Sequence, residues 1–294
     1  MLKRCLEQLI SYVEAHTECS VTVTDDGDAA KTQQFLGNLP RVKVIQGPRK
    51  GPSANRNNGA AQATADLLVF LDDDCIPDPD LISIYQEAAM RAPEISVFEG
   101  RISARGEGLG FADSCPENET GGYLWSCNIA LKRDTFEQVR GFDERYPFAA
   151  QEDRDLYTRV KSCAQVMFLP EARVWHNIDQ RPGSRGLRHQ ALSELLYFHI
   201  HGLDAKNQNP KSCLLRAVRK LLVVLPRRLR TGKVKNPMHF IRLLLADLKL
   251  ATLHTFWKHR ERLAVLLYPP CCAGCSQIHG LLRSPAEQLS RLSS

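Results

Sequence analysis

The run Leu68-Val-Phe-Leu-Asp-Asp-Asp-Cys-Ile-Pro-Asp-Pro-Asp-Leu81 restricts the folds open to this chain more than any other stretch. Its four leading apolar residues read as a buried strand. Three carboxylates follow at once, Asp72, Asp73 and Asp74. Asp78-Pro79 then opens a helix, with Asp as N-cap and Pro at the first helical position. The carboxylates therefore stand at the carboxyl end of a strand, the edge where open α/β sheets bind ligands. Adjacent carboxylates repel and call for a counter-charge. A hard divalent cation, Mg²⁺ or Mn²⁺, suits oxygen ligands and also bridges to phosphate. In extended chain Asp72 and Asp74 point the same way, which makes them the expected metal-facing pair. The competing reading is a polar strand end with acidic helix capping.

A chain of 294 residues, 43% of them hydrophobic, can build one substantial core or a domain with a smaller appendage. No signal-peptide profile opens it, and no uncharged apolar stretch is long enough to span a bilayer. Ten cysteines lie without a disulfide-framework spacing, so a reducing, cytoplasmic setting is expected. The net charge of +6 conceals a split. Residues 1–180 carry 19 Lys+Arg against 28 Asp+Glu, a balance of −9; residues 181–294 carry 20 against 5, a balance of +15. The acidic part suits a cation site. The basic part suits an anionic surface, such as the inner face of a membrane.

The pattern of elements is α/β. Leu2, Cys5, Leu6, Leu9, Ile10 and Val13 share one face of an amphipathic helix. Strands are expected at 20–24, 42–46, 67–71, 95–103, 125–131, 166–169 and 173–176. Helices are expected at 53–65, 79–91, 134–140 and 152–163. This alternation predicts a layered domain over 1–180. Basic-faced helices follow at 187–202, 211–225 and 237–268. Residues 269–294 read as a Cys/Ser-rich, disordered tail. Cys271, Cys272, Cys275 and His279 in it have zinc-like spacing, but no second cluster accompanies them, so a tail of reduced thiols is the preferred reading.

With the elements placed, the chain resembles the family 2 glycosyltransferases of GT-A fold, whose sheet is Rossmann-like. The resemblance rests on Thr24-Asp-Asp-Gly27, on 51–58 with Arg56, on Leu71–Asp74, on Cys127–Glu137 running into Gly141-Phe-Asp-Glu144, and on Gln151-Glu-Asp-Arg-Asp-Leu156. These motifs cover roughly residues 1–180. What it implies is an inverting, metal-dependent transfer from a nucleotide-diphospho-sugar, a UDP-sugar in first place, to a hydroxyl of a glycan or lipid-linked acceptor in cell-surface glycan synthesis.

The resemblance also assigns roles. Asp25 or Asp26 accepts from the nucleobase, Arg56 holds the diphosphate, and the Asp72–Asp74 run, Asp73 included, meets donor and cation. Asp153, with Glu152 beside it, takes the acceptor proton on the face opposite the leaving nucleotide. His176 meets the metal or diphosphate, and Trp125 stacks on a sugar ring. Each has a plainer alternative: Asp-Gly turn chemistry, a solvated Arg, acidic charge in a first helical turn, a structural His, a core Trp.

Family members open with an apolar strand and turn ahead of a helix like that at 2–15. The expectation is therefore that a central strand of the nucleotide-binding half is missing, through a misassigned start, a fragment, or loss of donor binding. The Gln-x-x-Arg-Trp pattern of processive members is absent, which implies transfer of one sugar at a time. Two rivals stay open: an inactive binding or scaffold protein on this fold, and a sugar-phosphate nucleotidyltransferase, whose Gly-rich N-terminal loop is not in this sequence. No nucleic-acid partner is expected, because the basic part lacks aromatic interleaving.

Overall fold

A computed structural model describes residues 1–105, 113–180, 184–202, 260–268 and 272–283, with the isolated positions 218, 245, 248, 249 and 252. It divides into two compact units. The first comprises Met1–Gly106 with Cys115–Ile178, the second Glu107–Ser114 with Asp179–Ser294.

The first unit holds α1 (Leu2–Ala15), β1 (Val21–Asp25), α2 (Ala29–Leu36), β2 (Val42–Gln46), α3 (Pro52–Gln62), β3 (Leu67–Leu71), β4 (Cys75–Pro77), α4 (Leu81–Arg91) and β5 (Val97–Arg105). To the second belongs β6 (Asp113–Ser114). The first resumes with β7 (Asn128–Lys132), α5 (Arg133–Gln138), α6 (Glu152–Val160) and β8 (Val166–Asn177). Strands β1 and β2 form a parallel pair of their own, in register from Val21↔Val42 to Asp25↔Gln46. The other sheet has five strands in the order β3-β7-β5-β8-β4. Its pairs are antiparallel except β5 with β8.

Alternation along the strands clothes both faces of that sheet. Leu68, Phe70, Val97, Ile129 and Leu131 face one core with Phe136, Phe142, Leu156 and Val160. Phe98, Ile102, Ala130 and Val174 face the other, under Leu81 and Tyr85 of α4. The result is a three-layer α/β/α arrangement, the architecture expected from the alternating pattern. On α1, Cys5, Leu6, Leu9 and Val13 are the buried residues, all of them on the face read from the sequence.

Strands β1 and β3 are not hydrogen-bonded to one another; helix α3 ties them through side chains instead. Asn55 donates to the Thr24 carbonyl at 2.9 Å, Asn58 donates to Thr24 Oγ1 at 3.1 Å, and Arg56 reaches Asp72 just past β3. The α3 register depends on Gly51 at φ 99°, where a Cβ would meet the Pro147 carbonyl at 2.4 Å. Helix α6 is locked from the other side. Arg159 donates twice to Asp155, at 2.8 and 2.6 Å, and also to the carbonyls of Val139 and Gly141.

Several expected details differ. The two short strands at 166–169 and 173–176 are one strand, β8. The pairing with β5 jumps from Gly100↔Leu169 to Arg101↔Arg173, so Pro170, Glu171 and Ala172 are absorbed in an irregularity. Proline, lacking a donor, is tolerated at such a bulge. Asp78 does not cap α4; its carboxylate takes Arg173 Nε at 2.8 Å and Trp175 Nε1 at 2.9 Å, and the N-cap position falls to Asp80. Helix α2 lies between β1 and β2, where the sequence pattern assigns no element.

The second unit contains β9 (Asp179–Gln180), paired with β6, and helices α7 (Ser184–His201), α8 (Arg260–Leu267) and α9 (Ala273–Leu282). α9 packs against α7 and α8. The disordered tail is thus corrected for 273–282, which is helical with Cys275, Ile278, His279 and Leu282 buried. The helices expected at 211–225 and at 237–268 ahead of α8 lie outside the described residues apart from the isolated positions named above. Among the described residues no disulfide forms, and no helix is long and apolar enough to cross a membrane.

Asp155 is fully buried, so Asp155→Ala leaves the Arg159 charge without its partner. The expected cost is about 3–5 kcal/mol, roughly a 10 °C lower Tm, measured by thermal unfolding; a change under about 1 kcal/mol would contradict the anchoring role.

Candidate active site

The five-stranded sheet places its polar edge by topology. Strand β3 is antiparallel to β7, and β7 to β5, so β3 runs parallel with β5 and β8. Asp72 follows β3 and His176 lies near the end of β8, on that common carboxyl edge. The short strand β4 then turns back antiparallel along β8, pairing Cys75 with His176. That register carries Asp74 to the imidazole.

Residues 72–74 form a turn, with the Cys75 N–H donating to the Asp72 carbonyl at 3.2 Å. Alternation by two therefore does not hold, and the expected Asp72/Asp74 pair is separated. Asp72 Oδ1 accepts from Arg56 at 2.8 Å, whereas Asp74 Oδ1 stands 3.5 Å from His176 Nε2. Asp73 is exposed on the turn. Asp74, Cys75 and His176 offer ligand atoms within 4.8 Å of one another.

His176 is 6% exposed, and its Nδ1 lies 2.8 Å from the Asn177 carbonyl. A carbonyl only accepts, so Nδ1 carries the hydrogen and Nε2 of the neutral ring is an acceptor. Two acceptors, Nε2 and a carboxylate oxygen, thus face one another. A cation between them, or a proton on the ring, removes that conflict, so the residues fit a divalent metal. The carboxylate suits Mg²⁺ or Mn²⁺, the imidazole is a more borderline donor, and the Cys75 sulfur is too soft for them.

Arg56 connects this edge to α6. One terminal nitrogen meets Asp72 and the other meets Glu152 Oε1 at 3.2 Å. Its guanidinium carbon also lies 5.4 Å from the centre of the Phe142 ring. Phe142 is held by Asn57, which bonds both its N–H and its carbonyl at 2.9 Å. Gly141, at φ 65°, permits that approach, since a Cβ there would lie 2.6 Å from Asn57 Oδ1. The guanidinium expected to hold a diphosphate is thus already engaged by two carboxylates.

Three carboxylates, Asp72, Glu152 and Asp153, surround this single guanidinium. Burial pushes the Glu152 carboxyl up first, the Asp153 charge adds to that, and Arg56 pulls it back. Burial likewise raises Asp153, against the pull of Arg56. Asp153 Oδ1 and Ser126 Oγ are buried and make no hydrogen bond of ordinary geometry, yet the hydroxyl and N–H of Ser126 lie close enough to the Asp153 carboxylate to pull its pKa down against burial. Gln151, just ahead of the pair, is left-handed at φ 70°, ψ −10°. A non-glycine residue held there costs about 1–3 kcal/mol, a strain found mainly where function over-determines the backbone.

The nucleobase candidates are engaged locally. Asp25 accepts from the Gly27 N–H at 2.7 Å and from Thr32 at 2.8 Å, and these bonds hold its pKa below the usual carboxylate range. Asp26 accepts from the N–H groups of Arg49 and Gly51, at 2.8 and 3.2 Å, and so shapes the loop before α3. Trp125 is half-buried against the core and stacks on Tyr123 at 4.6 Å.

Sequence reasoning passed over two residues that build the site. Cys75 hid inside the acidic run, where only recognition of β4 would have found it. Glu99 is 3% exposed and accepts from the N–H groups of Gly122, Tyr123 and Leu124. It thereby shapes the loop that presents Trp125 and Ser126. A carboxylate within the apolar run 95–102 was its only signal.

Residues 1–137 match the sequence profile described as Glycosyl transferase family 2. The Pre-mycofactocin glycosyltransferase of Mycobacterium tuberculosis is 32% identical over 176 residues, 53% of this chain and 37% of that protein. A GalNAc(5)-diNAcBac-PP-undecaprenol beta-1,3-glucosyltransferase of Campylobacter jejuni is 32% identical over 77 residues, 24% of this chain and 25% of that protein. The matched part is thus just over a third of the first relative's length and a quarter of the second's. TarS 1–349 of S. aureus matches in structure with TM-score 0.51 at 14% identity, covering 99% of this chain and 88% of that one. Its complex with UDP-GlcNAc gives 0.50. At such identity the likeness concerns fold alone. Residues 1–137 are thus similar to glycosyl transferase family 2, on a fold of the GT-A type.

Proposed function

We propose that this chain is an inverting glycosyltransferase that moves a sugar from a nucleotide-diphospho-sugar, a UDP-sugar in first place, to an acceptor hydroxyl. The observation that carries the reading is the buried Asp153 carboxylate beside the Arg56 clamp, raised by burial and not bonded directly by the guanidinium that holds Glu152. Glu152 is engaged by Arg56, so Asp153 is the carboxylate with an oxygen left for an incoming proton. The acceptor hydroxyl gives its proton to Asp153 as its oxygen bonds the anomeric carbon, and the bond to the diphosphate breaks with its electron pair leaving on phosphate. Asp74 and His176 would hold the cation. When bound, Mg²⁺ or Mn²⁺ supplies neutralisation of the departing diphosphate. Arg56 acts as counter-charge and spacer between the two acidic centres. The loop shaped by Asp25 and Asp26 borders the nucleobase. The acceptor is a glycan or lipid-linked hydroxyl in cell-surface glycan synthesis.

Two variants test this reading together. Asp153→Asn should lower UDP release from a UDP-sugar by roughly 10²–10⁴-fold while Mn²⁺-dependent binding of UDP, measured by calorimetry, is retained. Asp74→Asn should abolish that binding while the Tm holds. A base must be ionised and this one is raised, so wild-type activity should fall with pH already above the ordinary carboxylate range. Normal turnover in Asp153→Asn would end the base assignment, and unchanged Mn²⁺ dependence in Asp74→Asn the metal assignment.

The +15 balance of residues 181–294 supports reversible docking on an anionic membrane face. Each basic residue near such a surface adds about 1 kcal/mol. Co-sedimentation with phosphatidylserine vesicles should be clear at low salt and lost at high salt. Equal recovery with neutral vesicles at low salt would refute docking.

A further inference from the structure

Helix α9 begins at a Cys-x-x-Cys pair, with Cys272 at the N-cap and Cys275 in the first turn. Cys272 is exposed and Cys275 buried. Their sulfurs stand 3.6 Å apart, well beyond a disulfide bond. A third donor comes from α7, where His189 Nε2 lies 3.8 Å from Cys272 Sγ. The three ligand atoms all fall within 4.8 Å of one another. With zinc–sulfur bonds of about 2.3 Å, tetrahedral geometry puts ligand atoms about 3.6–3.8 Å apart. The Cys272–Cys275 and Cys272–His189 separations match those edges, and the third pair of donors lies within 4.8 Å.

We propose that His189, Cys272 and Cys275 are a zinc(II) site that staples α9 to α7. The donor chemistry selects the metal: two thiolates and an imidazole suit zinc and disfavour the hard cations of the carboxylate edge. On binding, each thiol releases its proton to solvent and bonds zinc as thiolate, and the two negative charges offset the 2+ charge. Water fills the fourth vertex, reached from the exposed side of Cys272. The zinc-like spacing in the sequence is thus completed from a distance. His279 is not among the donors that cluster here; its Nε2 bonds the Tyr268 carbonyl at 2.9 Å. The staple links positions 83 residues apart, which is where a cross-link constrains the unfolded chain most.

The full chain should be purified reduced from zinc-supplemented cells and its metal counted by mass spectrometry. The count is made in the Asp74→Asn background, so that the carboxylate edge does not contribute. One zinc per chain is expected, near zero in Cys272→Ser/Cys275→Ser. Cobalt exchanged into the chain should give a thiolate-to-cobalt charge-transfer band. That band should vanish in the double variant and persist in His189→Cys, which restores a third soft donor. Chelation should lower the Tm of the chain with both cysteines and leave the double variant unchanged. Full zinc retention in the double variant would overturn the proposal. So would a metal-free chain two hydrogens lighter under non-reducing conditions, which would mark a Cys272–Cys275 redox pair instead.

Discussion

The architecture of the acidic edge depends on one guanidinium. Arg56 is mostly buried, and its two terminal nitrogens reach carboxylates that belong to different elements, Asp72 after β3 and Glu152 at the start of α6. Isolated charges are not buried without partners. Three carboxylates and one cation form a cluster that stays net negative, so it holds a proton or attracts a cation. Burial raises Glu152 and Asp153 first, and the surplus negative charge around them adds to that. Perturbed carboxyls of this kind cluster at functional sites and occur in structural ion-pair networks as well. The ring of Phe142 and the Asn57 clamp fix where the guanidinium lies, and hence the spacing between the edge of β3 and α6.

The rest of the first unit serves that spacing. Buried Asp155 and Arg159 fasten α6 to the turn at 139–141, so Glu152 and Asp153 cannot drift with the helix. Helix α3 carries Asn55, Arg56, Asn57 and Asn58 on successive positions and uses them against β1, β3 and the Phe142 turn. It thus stands in for the ladder that β1 and β3 do not share. The antiparallel return of β4 along β8 is the second device, since it alone brings Asp74 to His176.

Much of this was legible in the sequence, for reasons that can be named. The apolar face of α1 and the parallel strand at 42–46 follow simple periodicities, and both were placed nearly residue for residue. The α/β layering and the family were carried by ordered motifs. What failed was local geometry that periodicity does not encode. The inference that Asp72 and Asp74 point together assumed extended chain, but the chain turns there. Strand β4 is three residues long and hidden between acids and prolines. Asp78 looked like a helix cap, yet its carboxylate was required by Arg173 and Trp175 across the β4–β8 pair. Glu99 looked like a charge in a strand, while its use is to gather three N–H groups from a loop more than twenty residues on. Partners distant in sequence leave no spacing to read.

The central claim is that Arg56 is the counter-charge of a buried, proton-holding carboxylate pair, and titration of the Glu152 and Asp153 carboxyl carbons by NMR tests it most directly. The account predicts that in the wild-type chain both titrate above the ordinary carboxylate range, and that Arg56→Met drives them higher while Arg56→Lys largely restores them. If both carboxyls titrate in the ordinary range and stay there in Arg56→Met, the clamp does not govern the site.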